Sequence, residues 1–221
     1  MTNKDTTIAD QTAELSREAA ERLPADVMAG FGVELARLVE EGVPSGAATP
    51  GTAMPDGDLL DVHGVPTTLA AARGGRPAVV VFYRGAWCPY CNVALRAYEQ
   101  ALVGELGSHG VALVAVSPQK PDGALSLAEK LALTYTVVSD PGNQIAKQLG
   151  IVFTVGDGAR EAQAKLGLDL ADINADGSYE LPMATTVLVD ADGRIRWIDV
   201  HPDYTTRSES AEILAAVEAL D

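Results

Sequence analysis

Cysteine is nearly absent from this chain. Only two occur in 221 residues. That excludes a disulfide-stapled secreted scaffold, whose cysteines are more numerous and spread through the chain. Positive charge is also scarce. Sixteen Lys and Arg stand against 31 Asp and Glu, for a net charge of −15. A phosphate backbone needs a basic face, so no nucleic-acid partner is expected. Acidic membrane surfaces repel such a chain, and the charge serves solubility. Long apolar runs are missing too: no stretch approaches the ~20 apolar residues of a membrane span. "MTNKDTTIADQTAELSREAAERL" has no apolar targeting core and no cleavage signal. The expectation is a cytoplasmic protein with no membrane partner.

The remaining composition is that of a globular protein, 47% apolar and 21% charged, with room for one sizeable core and an added segment. Residues 7–42 read as two helices. Ile8, Leu15, Ala19 and Leu23 share a face of the first, which Pro24 stops. In the second, Met28, Phe31, Leu35 and Leu38 recur at steps of three and four. Both stripes are expected to cover a core or pack on a twin subunit, which makes a homodimer an expectation. "GVPSGAATPGTAMPDG" reads as a linker, so residues 1–51 form an N-terminal helical arm and 52–221 the main domain.

Beyond the linker the period changes. "DLLDVHGVPTTL" reads as a hairpin turning at His63-Gly64. "PAVVVFY" and "VALVAVS" read as strands buried on both faces, joined by a helix carrying Cys91, Leu95, Tyr98, Leu102 and Leu106. "PDGALSLAEKLAL" reads as helix and "YTVVSD" as strand. "PGNQIAKQLG" reads as a helix opened by Pro141 and closed by Gly150. "IVFTV" reads as a further strand and residues 158–167 as a short helix. "TTVLVDADGRIRWIDV" is a hairpin, and a final helix is expected from Thr206, with Glu209 in a capping box. The order implies an α/β fold with a mixed sheet.

Both cysteines lie in "FYRGAWCPYCN". Pro89 fits the first helical position, which puts Cys88 at the N-cap and Cys91 in the first turn. Unpaired amides and the positive end of the helix dipole favour a thiolate there. A thiol so placed falls from ~8.5 into the range of roughly 3.5–7.5. The two-residue spacing lets one sulfur attack and the other resolve the mixed disulfide. Helical phase turns Cys91 to the core and leaves Cys88 at the tip beside Trp87. An exposed Cys88 is therefore the expected nucleophile and a sheltered Cys91 the resolver. Arg84 stands where a cation stabilises a thiolate, and Trp87 shields the sulfur.

No metal and no cofactor are expected. His63, His109 and His201 form no ligand pair with the cysteines, against the three or four ligands that zinc takes. "DINADGSYELPM" begins like a calcium loop, but its twelfth position is Met183 in place of a bidentate glutamate.

The segments "WCPYC", "VALVAVSPQ", "YTVVSDPGNQIAKQLGIVF" and "TTVLVDADGRIRWIDVHPDYTTR" resemble, in order, the peroxiredoxin-like branch of the thioredoxin-like superfamily, the alkyl hydroperoxide reductase and thiol-specific antioxidant family. The resemblance covers roughly residues 52–220. It implies a thioredoxin-like fold, a central mixed β-sheet flanked by helices. It also implies thiol–disulfide exchange, or hydroperoxide reduction through a sulfenic acid. An external thiol reductant of thioredoxin or glutathione type would reset the pair, with a hydroperoxide or a protein disulfide as substrate.

Several positions depart from the family pattern. A peroxiredoxin has its peroxidatic cysteine where Cys91 stands. Cys88 replaces the threonine or serine three residues earlier, and Arg84 replaces the proline opening the loop. A thioredoxin's buried acid falls on Phe82. The superfamily's cis-proline falls on Ala184, beside Thr185, and the arginine that peroxiredoxins carry there is missing. A non-proline cis bond costs about 2.5–4 kcal/mol, so a trans peptide is expected at Met183-Ala184. The leading expectation is a thiol–disulfide oxidoreductase with Cys88 attacking and Cys91 resolving. One alternative is a thiol-dependent hydroperoxide reductase with Cys91 peroxidatic and Cys88 resolving. Another is a redox-regulated binding module whose arm mediates association. A cluster of iron and sulfur bridging two subunits is a further possibility.

Overall fold

The computed structural model describes residues 6–220; residues 1–5 of the arm and residue 221 lie outside the described residues. The arm is two helices, α1 (Ile8–Arg22) and α2 (Ala25–Glu41). Thr7 and Asp10 close a capping box at the start of α1, which satisfies amides that a helix start leaves open. Pro24, with no N–H to lose, sits at the N-cap of α2.

The hairpin β1 (Asp58–Asp61) and β2 (Pro66–Thr68) follows, then the single turn α3 (Leu69–Ala72) and β3 (Ala78–Phe82). The hairpin turn is made by Asp61, whose Oδ1 accepts from His63 N and Val65 N at 2.8 Å. The chain continues through α4 (Pro89–Ala101), α5 (Val103–Ser108), β4 (Ala112–Ser117), α6 (Pro121–Leu131), β5 (Thr136–Ser139) and α7 (Gln144–Gln148). It ends with β6 (Val152–Thr154), α8 (Asp157–Lys165), α9 (Leu170–Ile173), β7 (Glu180–Pro182), β8 (Ala184–Val189), β9 (Ile195–His201) and α10 (Ser210–Glu218).

One seven-stranded sheet has the order β2-β1-β5-β4-β3-β8-β9. β3, β4 and β5 run parallel, while β1 and β8 add antiparallel flanks. This is the expected α/β mixed sheet, with β3 and β4 buried along their whole length. Continuous Val and Ala runs are what a strand covered on both faces requires. One apolar cluster, on the α4 side, holds Val79, Val81, Tyr83, Cys88, Cys91, Leu95 and Tyr98. The other, across the sheet, holds Val80, Phe82, Val187 and Val189. Each fully buried Val or Leu contributes roughly 1.5–3 kcal/mol.

β6, expected as a further strand, pairs only with β7, in a separate two-stranded ribbon. Three local readings are corrected. α7 begins after Asn143, not at Pro141; Asn143 is in the left-handed region (φ 54°). The Asp140 carboxylate collects the new helix's amides, Gln144 N at 2.8 Å and Ile145 N at 3.0 Å. The last helix starts at Ser210, with Glu209 as its N-cap and Glu212 completing the box, because Thr206 is held in a turn by Asp203 and His201. The proline- and glycine-rich segment is fastened to the domain: Ala48 N donates to Leu149 O, Gly51 N to Ile195 O and Met54 N to Gly193 O.

The arm lies on the domain. α1 packs on α4 and α2 on α8. Glu209 accepts from Ile8 N at 3.0 Å and Ala9 N at 2.8 Å, so one carboxylate serves the starts of two helices. Among the described residues no helix is long and apolar enough to cross a membrane.

Candidate active site

β3 delivers the chain from the sheet into a tight loop, Tyr83 to Trp87, and α4 leaves it. Cys88 is the N-cap of α4 and Pro89 its first residue. The loop is pinned at Ala86, whose N–H donates to Gln119 Oε1 at 2.7 Å and whose carbonyl accepts from Asn92 Nδ2 at 2.9 Å. Gly85 is required here. Its φ is +145°, and a Cβ would stand 2.5 Å from Trp87 Nε1. A side chain at Gly85 would push out the indole that folds beneath it.

Both thiols are free and buried. The residue exposures are 1% for Cys88 and 0% for Cys91, so the expected exposure of Cys88 is corrected. The tip of α4 is covered by Trp87 and by the arm, which sequence phase does not reveal. The two sulfurs still differ. Cys88 lines the wall of a cavity of about 510 Å³, whereas Cys91 lies behind it and does not line the cavity.

Two buried arginines converge on the pair. Arg84 is sandwiched between the rings of Trp87, 4.8 Å from its guanidinium carbon, and Tyr204, at 4.4 Å. Its Nη1 stands 4.0 Å from Cys88 Sγ. Arg207 donates through Nη2 to Cys91 Sγ at 2.9 Å and through Nη1 to the carbonyls of Tyr204 and Thr206. A cation this close favours the ionised sulfur far more in the interior than in water.

The electrostatics separate the sulfurs. Burial pushes the Cys88 thiol well above the usual thiol range, and its hydrogen bond to Cys91 and the negative charge there add to the rise. Burial acts on Cys91 in the same direction but is outweighed. The bond from Cys88, the Arg207 charge, the Arg84 backbone N–H and the Arg84 charge together hold Cys91 well below that range. Within the pair, the environment favours the negative charge on Cys91 and the proton on Cys88.

The segment carrying Arg207 is itself fixed. His201 Nδ1 meets Thr206 Oγ1 at 2.7 Å, and Ser208 Oγ donates to Asp199 Oδ2 at 2.8 Å. Asp199 also pairs with His201 Nε2 at 2.8 Å. Tyr98 on α4 donates to Ser208 O at 2.8 Å.

Of the sequence-predicted site residues, Cys88, Cys91, Arg84, Trp87 and Pro89 come together. Ala184 is buried at the start of β8, and no cis peptide occurs among the described residues. Thr185 is corrected. Strand alternation places it with Val187 and Val189, on the sheet face away from the cysteines, and its hydroxyl donates to Met183 O at 3.0 Å. Arg207 and Tyr204 were not foreseen. Among the described residues no cluster of three or more His, Cys, Asp or Glu could hold a metal. The calcium-like stretch is a turn, with Asn174 Nδ2 donating to the carbonyls of Ser178 and Glu180.

A mixed sheet with a dithiol at the strand-to-helix junction defines a protein of thioredoxin-like fold. The model of the AhpC/TSA family matches residues 50–198, and the chain belongs to that family. A protein of Mycobacterium tuberculosis named as a peroxiredoxin is 31% identical over 102 residues, 46% of this chain and 64% of its own length. Peroxiredoxin Bcp of Escherichia coli is 28% identical over 164 residues, 74% of this chain and 92% of its own length. The crystal structure of peroxidoxin BcpB from Mycobacterium tuberculosis superposes with a TM-score of 0.60 at 20% identity, over 78% of this chain and 97% of that one. The arm, residues 8–41, precedes the family match.

Proposed function

We propose that this chain is a thiol-dependent hydroperoxide reductase in which Cys91 attacks and Cys88 resolves. The observation that carries the reading is the Arg207 guanidinium 2.9 Å from Cys91 Sγ. It sets the thiolate, the reactive form of a cysteine, at the position where the family resemblance puts the peroxidatic sulfur. The roles are thus the reverse of those that helical phase alone suggests.

The Cys91 thiolate attacks one oxygen of the O–O bond, which breaks. The departing oxygen takes a proton and leaves as water or an alcohol, and Cys91 becomes a sulfenic acid. Cys88, still protonated, is the next sulfur along the helix start. Its attack on the Cys91 sulfur expels water and closes the Cys88–Cys91 disulfide. An external thiol returns two electrons. Arg84 and Arg207 place positive charge where the departing oxygen gains negative charge. The peroxide comes to Cys91 through the cavity, past the Cys88 side chain.

The test is rapid mixing of reduced protein with hydrogen peroxide, for the wild type and for single Cys→Ser variants, with sulfenic acid trapped and located by mass spectrometry. Cys88→Ser is expected to keep the fast first step, accumulate sulfenic acid at Cys91 and stop turnover. Cys91→Ser is expected to lose the first step. The reverse pattern refutes the assignment. A second reading, thiol–disulfide exchange initiated by Cys88, is favoured by the one sulfur that lines the cavity. It predicts a faster reaction with an oxidised protein disulfide than with peroxide.

A further inference from the structure

The cavity over Cys88 is far larger than a small peroxide needs. At about 510 Å³ it is more than ten times the ~30 Å³ share of one water. Its walls are Leu15 and Ala19 of α1, Leu23 just after it, Phe31 and Leu35 of α2, and Trp87 of the loop. The two stripes that the sequence offers as core or dimer faces therefore form a chamber over a redox sulfur.

We infer that this chamber receives the reductant, a small neutral dithiol on an apolar chain. The inference rests on the proposed cycle, in which a Cys88–Cys91 disulfide must be reopened. Four observations carry it.

The first is access. Only Cys88 lines the chamber, so a reductant attacks there and Cys91 is the leaving sulfur. A thiolate leaves faster the lower its pKa, and Arg207 lies against Cys91 for that step.

The second is closure. The roof is fastened at several separate points. Glu209 caps α1, and Ser16 bonds the Tyr90 hydroxyl at 3.1 Å. Tyr204 donates to Phe31 O at 3.0 Å, and Arg37 donates to Thr154 O at 3.2 Å. A protein reductant must bring its own cysteine to Cys88, and these ties stand in its way.

The third is wall chemistry. Among the described residues Arg84 is the one charged side chain lining the chamber, and two aromatic rings enclose it. The carboxylates of a glutathione-type thiol would be taken out of water against leucines, which their loss of hydration opposes. A single attacking thiolate restores the negative charge that oxidation of Cys91 removes.

The fourth is a waiting donor. Gln163 lines the chamber and also the adjoining pocket beside α8, is 2% exposed, and its Nε2 has no partner among the described residues. An unsatisfied buried donor is destabilising, and a carbonyl at the far end of the dithiol's chain satisfies it.

A dithiol also completes the exchange without a second molecule entering. Its first thiolate attacks Cys88 Sγ, the Cys88–Cys91 bond breaks, and the electron pair leaves on Cys91. Its second thiol loses a proton and attacks the mixed disulfide. A cyclic disulfide departs, Cys88 takes a proton, and two electrons have passed to the pair.

Dihydrolipoamide is the probe. The protein is oxidised with diamide, so that the disulfide does not depend on the peroxidase reading. Reduction is then followed by thiol alkylation with dihydrolipoamide, glutathione or reduced thioredoxin. Dihydrolipoamide is expected to react saturably, at least about tenfold faster per thiolate than glutathione, the factor that about 1.4 kcal/mol of desolvation gives. It is also expected to outpace thioredoxin. Gly32 lines the chamber, and a Cβ there meets nothing within 4 Å. Gly32→Trp fills the space and is expected to slow dihydrolipoamide by more than about tenfold on the same scale. If that variant does not fold, Gln163→Leu carries the test by raising the half-saturating concentration several-fold. Glutathione or thioredoxin matching dihydrolipoamide overturns the inference, as does a folded filled variant with unchanged rate. A chain fast with dihydrolipoamide but inert to hydrogen peroxide overturns the peroxidase reading instead.

Discussion

Replacing Arg207 by methionine tests the electrostatic basis of the site. Methionine keeps much of the aliphatic stem and removes the guanidinium. Cys91 Sγ then loses a charge-assisted hydrogen bond at 2.9 Å, and burial, which pushes Cys91 upward, is no longer offset by that cation. A hydrogen bond to a charged group contributes about 1.5–3 kcal/mol. At about 1.36 kcal/mol per pH unit, the Cys91 titration should rise by about 1–2 units. The assay is thiolate absorbance against pH, with the pH dependence of alkylation at Cys91 read by peptide mass. The peroxide rate below the new titration point should fall in proportion to thiolate, about tenfold per unit. Arg207→Lys keeps the charge but loses the fork that also binds two carbonyls, so it should recover part of the shift. A rise of less than about 0.3 unit in a folded Arg207→Met protein, well inside the ~1.4 kcal/mol of a single unit, would refute the reasoning.

Three further outcomes follow from the same geometry. The reduced pair should shape stability against pH. Cys91 is held below its unfolded value, so its contribution is lost as pH falls through its folded value; Cys88 is held above, so stability is lost again as pH rises past the ordinary thiol value of about 8.5. Urea midpoints, taken as the difference between the wild type and the double Cys→Ser variant, should be greatest near the ordinary thiol value and fall on both sides of it, and a flat difference would count against the assignment. Glu209→Ala should cost about 1–2 kcal/mol in urea unfolding and speed amide exchange at Ile8 and Ala9, which that carboxylate caps; unchanged exchange there would mean the arm is held without it. Asp199→Asn separates positioning from charge. Loss of a nearby anion lowers a thiol pKa, whereas loosening the Ser208 and His201 ties that flank Arg207 raises it. An upward Cys91 titration is expected, and a downward one would show that Asp199 acts through charge alone.

The parts of this molecule legible in the sequence are those fixed by short-range chemistry. The β1–β2 turn follows from an aspartate and Gly64, and the buried strands follow from unbroken valines. The place of Cys88 follows from Pro89, because a proline at the first helical position defines the cap before it. Errors arose where a distant contact decides a local choice. Asp140 gathers the amides of α7 and moves its start, and Thr206 is drawn to His201 and delays α10. The strand β6 was legible, but its partner, the equally short β7, was not.

The site divides in the same way. Helical phase places Cys91 inward correctly, but it says nothing about what covers Cys88. That depends on an arm tied down by Glu209, some 200 residues along the chain from the amides it caps. Arg207 lies 116 residues from Cys91 in sequence. No short-range pattern marks it. In "HPDYTTRSES" Asp203 stands four positions before the arginine, an ordinary pairing distance, but its carboxylate is taken by Thr205 N at 2.8 Å and Thr205 Oγ1 at 2.6 Å. A guanidinium carried into the interior without a carboxylate needs another anion. In this interior the cysteine pair supplies that anion as a thiolate.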